Sequence, residues 1–274
     1  MRYFLYFFLG MGFISFGQEQ SVSKISKKGS FNIYWGWNRD AYTKSDITFQ
    51  GNDYNFELKN VQARDRQSPL SVDTYLNPAN FTIPQYNARI GYFITDKYSI
   101  TLGMDHMKYV MVGNQTATIS GAISKSGTAY DGSYNEESIV LAKEFLCFEH
   151  TDGLNYWNTE LRRTAEIWRK GKFAANLSEG FGAGALLPRT NTTLMGNPRY
   201  DQFHLSGFGI AGLVAINIEF NERVFLQTEM KVGFINMPSI RTTMFEADKA
   251  KQHFSFIQSN IVLGVNLNTK KSKK

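Results

Sequence analysis

The chain has 274 residues, of which 30 are Lys or Arg and 24 are Asp or Glu, for a formal net charge of +6 at pH 7. Much of that excess sits in Lys270-Lys271-Ser272-Lys273-Lys274, which reads as a solvated end, so the charge balance points to no nucleic-acid partner. The single cysteine, Cys147, excludes an intrachain disulfide and a cysteine-built zinc cluster. His106, His150, His204 and His253 lack metal-ligand spacing, so neither a metal nor another cofactor is expected.

Residues 1–17 read as a secretory signal peptide. Arg2 supplies the basic start, Phe4 to Phe16 the apolar stretch, and Ser15-Phe16-Gly17 the small residues of a cleavage site. Residues 18–29 are then a periplasmic lead-in, 30–268 the body of the protein and 269–274 a basic tail. No later apolar run is long enough to cross a bilayer as a helix, so an integral form of this chain has to be a β-barrel.

Period-2 alternation, the signature of the β pleat, predicts eight long strands. The first, about Ser30 to Arg39, puts Phe31, Ile33, Trp35 and Trp37 on one face. Within the following connection, 46–50 and 54–58 flank Gly51-Asn52-Asp53 as a hairpin. The second strand, about 84–94, turns Tyr86, Ala88, Ile90, Tyr92 and Ile94 one way and Asn87, Arg89 and Gly91 the other. The third, 98–111, opposes Ile100, Leu102 and Met104 to Thr101, Gly103 and Asp105. Residues 113–133 are rich in Gly, Ser and Thr, and 136–148 fit a strand or a short helix equally, which leaves 113–150 open.

The remaining strands are predicted at about 154–168, 173–187, 203–218, 223–236 and 253–267. In the seventh, Val224, Leu226, Thr228, Met230, Val232 and Phe234 oppose Gln227, Glu229, Lys231 and Gly233. In the eighth, Ile257, Ile261, Leu263 and Val265 oppose Gln258, Asn260 and Gly264. Glu179 breaks the pattern: a regular fifth strand turns it toward lipid, so a bulge or a different parity is expected there. Glycines at 180–184 and 207–212 lie on strands and fit close packing and bending of a wall rather than a phosphate-binding loop.

Connections after strands two, four and six are short, and those after one, three, five and seven are long: about 40–83, 112–153, 188–202 and 237–252. An apolar outside, a polar inside and strict short-long alternation together predict an all-β fold. The expected architecture is an eight-stranded antiparallel transmembrane β-barrel with short periplasmic turns and long extracellular loops. Trp35, Trp37, Tyr98, Tyr156, Trp157, Trp168, Phe173 and Phe220 lie near strand ends and are expected to form interfacial girdles.

On this pattern the chain, from about Ser30 to Leu267, resembles the small eight-stranded outer-membrane barrels of the OmpA, OmpX and OmpW type. The resemblance implies an outer-membrane location in a Gram-negative envelope and contact with outer-membrane lipid and lipopolysaccharide. It implies a monomer whose long loops are available to an extracellular partner.

Two constellations carry chemistry. Arg89, Asp105, Glu160, Arg162, Glu166, Glu229 and Lys231 share the inward parity. An eight-stranded interior is just wide enough to be filled by side chains, so an ion-pair plug is expected, with a narrow passive channel as the alternative. The second is His204-Leu205-Ser206. On a strand its His and Ser share a face, and an imidazole can activate a hydroxyl. The motif is similar to the His-x-Ser element of outer-membrane lipid A deacylases, which implies His204 as base and Ser206 as nucleophile, with no orienting acid in reach. The sequence therefore favours a structural or surface-interaction barrel with a plugged lumen. The deacylase-like hydrolase and the small channel stand as alternatives.

Overall fold

The structure, a computed structural model, describes residues 26–77, 79–80, 83–197, 199–200 and 202–267. The expected signal peptide, most of the lead-in and the lysine tail lie outside the described residues. In chain order the elements are β1 (Phe31–Tyr42), β2 (Ser45–Gln50), β3 (Tyr54–Val61), β4 (Ala63–Arg64), α1 (Val72–Leu76), β5 (Tyr86–Phe93) and β6 (Tyr98–Met111). They continue with β7 (Thr116–Ile123), β8 (Gly132–Val140), β9 (Leu146–Lys170), β10 (Phe173–Pro188), β11 (Asn191–Leu194), β12 (Gly207–Phe220), β13 (Val224–Arg241) and β14 (Lys249–Leu267).

Eight of these strands form a closed antiparallel ring in the order β1-β5-β6-β9-β10-β12-β13-β14, and β14 pairs back onto β1 from Phe31↔Leu267 to Tyr42↔Phe256. Closure leaves no free edge around the ring, so backbone donors and acceptors are satisfied without water. A walk across paired residues from Phe31 passes Tyr92, Ile100, Leu161, Phe181, Gly212, Val232 and Ile257. It returns to β1 at Ala41, not Phe31. That stagger of about ten residues over eight strands tilts the strands by roughly 43° and leaves an interior filled by side chains. The ring strands are joined at one end by tight turns. Between β12 and β13, Asn221 and Glu222 both take positive φ, as compact hairpin turns require.

At the other end the ring strands outrun the predicted ranges. β9 begins at Leu146 rather than 154, β13 runs on to Arg241, and β14 begins at Lys249. This extra length carries an upper sheet: β2 pairs with β14 over 46–50, β3 with β2, β7 with β3 and β8 with β7. The open stretch 113–150 thus resolves into β7, β8 and the start of β9, without helix among the described residues.

The polar and apolar faces exchange along the ring while a strand such as β14 keeps its parity. In β14, Ile257, Ile261, Leu263 and Val265 face out while Gln258 and Asn260 face in. Above them Lys249, Lys251 and His253 face out while Ala250, Phe254 and Phe256 face in. The upper half therefore has an apolar core, built from residues such as Ile47, Phe49, Phe56, Tyr109, Phe148 and Phe254, as a water-exposed domain does. Tyr156 belongs to this core at 1% exposure. It is not a girdle residue, because β9 points it inward just above the change of faces. Trp157, Trp168, Phe173 and Phe220 do stand on the outside.

Candidate functional site

The lower lumen is crossed by one charged layer. Alternation along β5, β6, β9 and β13 turns Arg89, Asp105, Glu160, Arg162, Glu229 and Lys231 inward, and none is more than 5% exposed. Arg89 Nη2 donates to both Asp105 oxygens at 2.6 Å and lies 3.2 Å from Glu160. Arg162 forks between strands, with Nη2 2.6 Å from Glu160 and Nη1 2.7 Å from Glu229. Lys231 sits among all three acids, 2.7 Å from Asp105, 2.9 Å from Glu160 and 3.7 Å from Glu229.

The layer holds three acids and three bases, so it is neutral as a unit. Its remaining hydrogen-bond capacity is met by neutral side chains. Asn158 bridges Arg89 (2.7 Å) and Asp105 (3.1 Å), Thr101 donates to Glu160 (3.0 Å), and Asn260 and Gln227 donate to Glu229 (3.0 and 3.2 Å). The Tyr34 ring lies 5.7 Å from the Arg162 guanidinium. A buried charge network of this kind is tolerable only when every member is paired. Asn158 and Tyr34 escape a search for charges alone, although Asn158 shares the inward parity of Glu160 and Arg162 on β9. Wall glycines make room for the long side chains: a Cβ at Gly182 would stand 2.6 Å from Glu160 Cγ, and one at Gly103 would strike Arg89.

Glu166 does not join this layer. Between Trp168↔Ala175 and Glu166↔Asn176 the β9–β10 register slips by a bulge. Glu166 then pairs with Arg169 at 2.7 Å near the short-turn end, and Arg169 also reaches Glu222 at 2.8 Å. Glu179 corrects the expectation of a bulge at its own position. The strand is regular there, Glu179 does face out, and the neighbouring outward Arg163 answers it at 2.7 Å.

Below the layer lies a cavity of about 30 Å³, room for about one water, bounded by Tyr34, Asn32 and Glu219. Lys27, ahead of β1, reaches across that mouth to Glu219 (2.6 Å) and stands over the Phe93 ring. Above the layer begins the apolar core of the upper half. One polar island interrupts it. His150, on the part of β9 above the outward apolar band, meets Thr190 through Nδ1 (2.8 Å) and Gln252 Oε1 through Nε2 (3.3 Å), a set that fits the Nε2–H tautomer. Burial pushes the His150 pKa down to about 4, against an opposing pull from the Gln252 hydrogen bond and the Glu149 charge.

His204 and Ser206 lie just ahead of β12. The assigned strand starts at Gly207, but the pairing with β10 continues through both: His204 N donates to the Pro188 carbonyl (3.2 Å) and Ser206 N to the Leu186 carbonyl (2.9 Å). The Ser206 hydroxyl donates to the His204 backbone carbonyl at 3.2 Å. No group of three or more metal-binding side chains gathers among the described residues.

Fold and lumen together define a closed eight-stranded antiparallel β-barrel, apolar outside and charged inside over its lower half. No protein family matches the chain, and no curated protein does. Among solved structures it is similar to the outer membrane protein OprG from Pseudomonas aeruginosa, with 12% identity, a TM-score of 0.38, and coverage of 88% of this chain and 97% of that one. It is similar also to the outer membrane protein AlkL, with 9% identity, a TM-score of 0.42, and coverage of 95% and 100%. A third is Neisserial surface protein A, with 10% identity, a TM-score of 0.33, and coverage of 88% and 99%.

Proposed function

We propose that this protein is an outer-membrane β-barrel of the cell envelope with a sealed lumen, acting through its wall and its upper sheet in a structural or surface-interaction role. The observation that carries the reading is the exchange of faces within single strands. Apolar residues on the outside below and in the core above match a barrel that stands in lipid and projects into water. The short-turn end, where the described chain begins and ends, faces the periplasm. The upper sheet is outside the cell, and the wall is in contact with outer-membrane lipid and lipopolysaccharide.

The paired charges and the apolar core stacked above them support a plug over a pore. In a planar bilayer the parent protein is expected to give no steady conductance. A large, stable conductance would overturn the plug. Ser206, with its hydroxyl turned to a carbonyl, gives the hydrolase reading little support. Lipid A from cells expressing the parent protein and Ser206→Ala is expected to have the same mass, and a deacylated species seen only with the parent would restore that reading.

A further inference from the structure

The connection between β4 and β5 carries Leu70 and Val72, more exposed than any other large apolar side chain described, at 89% and 75%, with Ile83 also open. Such side chains are usually sparse on a surface that meets only water. Their placement is unusual too. β5 stops at Tyr86 while its neighbour β1 runs on to Tyr42, and the connection is anchored at that gap. Asp65 accepts from the Asp40 amide (3.2 Å), and the Gln85 carbonyl accepts from Asn38 N (3.3 Å).

Between these anchors α1 lies against the outside of the wall. Tyr75 of α1 packs edge-on to Trp37 with ring centroids 5.7 Å apart, and Trp37 packs on Trp35 at 5.0 Å. Arg39 donates to the Tyr75 hydroxyl at 2.6 Å. Trp35, Trp37 and Arg39 share the outward face of β1 with Phe31 and Ile33. Trp37 lies six residues beyond Phe31 in the same strand. At about 3.3 Å per residue and a tilt of roughly 43°, Trp37 stands ~14 Å and Arg39 ~19 Å up an apolar band of about 25 Å.

α1 is thus held beside the upper part of the band, continuous with the lipid-facing wall. Arg39, and Lys108, which donates to the Ile83 carbonyl at 2.9 Å, stand near its upper edge, where long cationic side chains bury their stems and keep their heads at the interface. We infer that the segment around α1 is a lipid-docked collar, with Leu70, Val72 and Ile83 inserted among the acyl chains of the outer leaflet. This rests on the outer-membrane reading above. A loop that emerges at the extracellular end would then be withdrawn from the medium and would anchor the barrel on one side.

The test uses the full chain with Cys147→Ser in vesicles of phosphatidylethanolamine and phosphatidylglycerol. Nitroxide labels are placed singly at Leu70→Cys, Val72→Cys, Ile261→Cys on the wall and Ala129→Cys in the β7–β8 connection. Collision with oxygen, which concentrates in lipid, is compared with collision with a water-soluble nickel chelate. Labels at 70 and 72 are expected to match 261, favouring oxygen, with 129 favouring nickel. If 70 and 72 match 129 while 261 stays lipid-like, the collar is wrong and the barrel reading stands. If 261 itself favours nickel, both fall.

Discussion

The lower and upper halves of this barrel are built from the same strands on opposite rules. Below Ile257, β14 turns Ile261 and Leu263 outward and Gln258 and Asn260 inward; above Phe256 it turns Lys249 and Lys251 outward and Phe254 inward. Nothing in strand propensity distinguishes the halves. The surroundings of each face decide which residues it takes. In the upper half water drives Phe49, Phe148 and Phe254 into one core. In the lower half lipid takes the apolar side chains, and the interior is left to polar groups that must satisfy one another. The upper half is therefore expected to tolerate changes of charge on its outside, and the lower half to tolerate them on neither face.

The largest expected effect is in the charged layer. Arg162→Ala leaves Glu160 and Glu229 short of a partner and is expected to cost about 3–5 kcal/mol, since removal of one member of a buried pair strands the other. Arg162→Ala combined with Glu229→Ala should recover part of that loss in urea titrations of vesicle-inserted protein. A purely additive double mutant would contradict the coupling. Next comes one substitution made in both halves. Ile261→Arg, on the lower outside, should cost about 2–4 kcal/mol near mid-membrane. His253→Arg, on the upper outside of the same strand, should stay within about 0.5 kcal/mol. Equal costs would erase the boundary between the halves.

The upper core has its own acid sensitivity. The His150 pKa of about 4 lies below the ordinary 6.5, so the unfolded chain binds a proton that the folded one refuses between those values. Its contribution is present in full above pH 6.5 and is lost as the pH falls toward 4, at about 1.4 kcal/mol per unit of the gap. His150→Gln should flatten the unfolding profile over that window and leave it unchanged above pH 7. A destabilisation of about 1–3 kcal/mol is expected of Gly233→Ser. Its position on the inner face of β13 suggests tolerance, yet a Cβ there would stand 2.5 Å from the Phe256 ring and 2.6 Å from the Ile210 carbonyl. Gly113→Ala, with nothing within 4 Å of the added carbon, is the control.

How much of this was legible in the sequence depends on whether a face keeps one chemical character along a strand. Where it does, as over 98–105, the inward Asp105 follows from alternation alone. Where the faces exchange, a single rule misleads. Tyr156 reads as an interfacial aromatic but serves the upper core, and the first residues of β9 escape because Leu146 and Phe148 turn inward there. Glu166 was lost to a bulge, which shifts parity without a mark in the composition. Arg163 as the answer to Glu179 is a matter of register between two strands, which no single strand contains. His204 and Ser206 both stay on the backbone ladder with β10 ahead of the assigned strand, and the Ser206 hydroxyl meets the His204 carbonyl, a contact that alternation does not announce.

β14 has three partners: β13 along most of its length, β1 over its lower part and β2 at its upper end. It is also the last strand of the described chain. Until residues 249–267 are in place, β1 keeps an open edge, and the sheet of β2, β3, β7 and β8 has no attachment to the ring strands through β2. The pairing that joins β1 to β14 is almost as long-range as the described chain allows, so the entropy of closing that loop falls at the end of assembly. Barrel closure and completion of the outer sheet are then a single kinetic event, and a nascent barrel without its final strand exposes a ready edge to whatever assists its assembly.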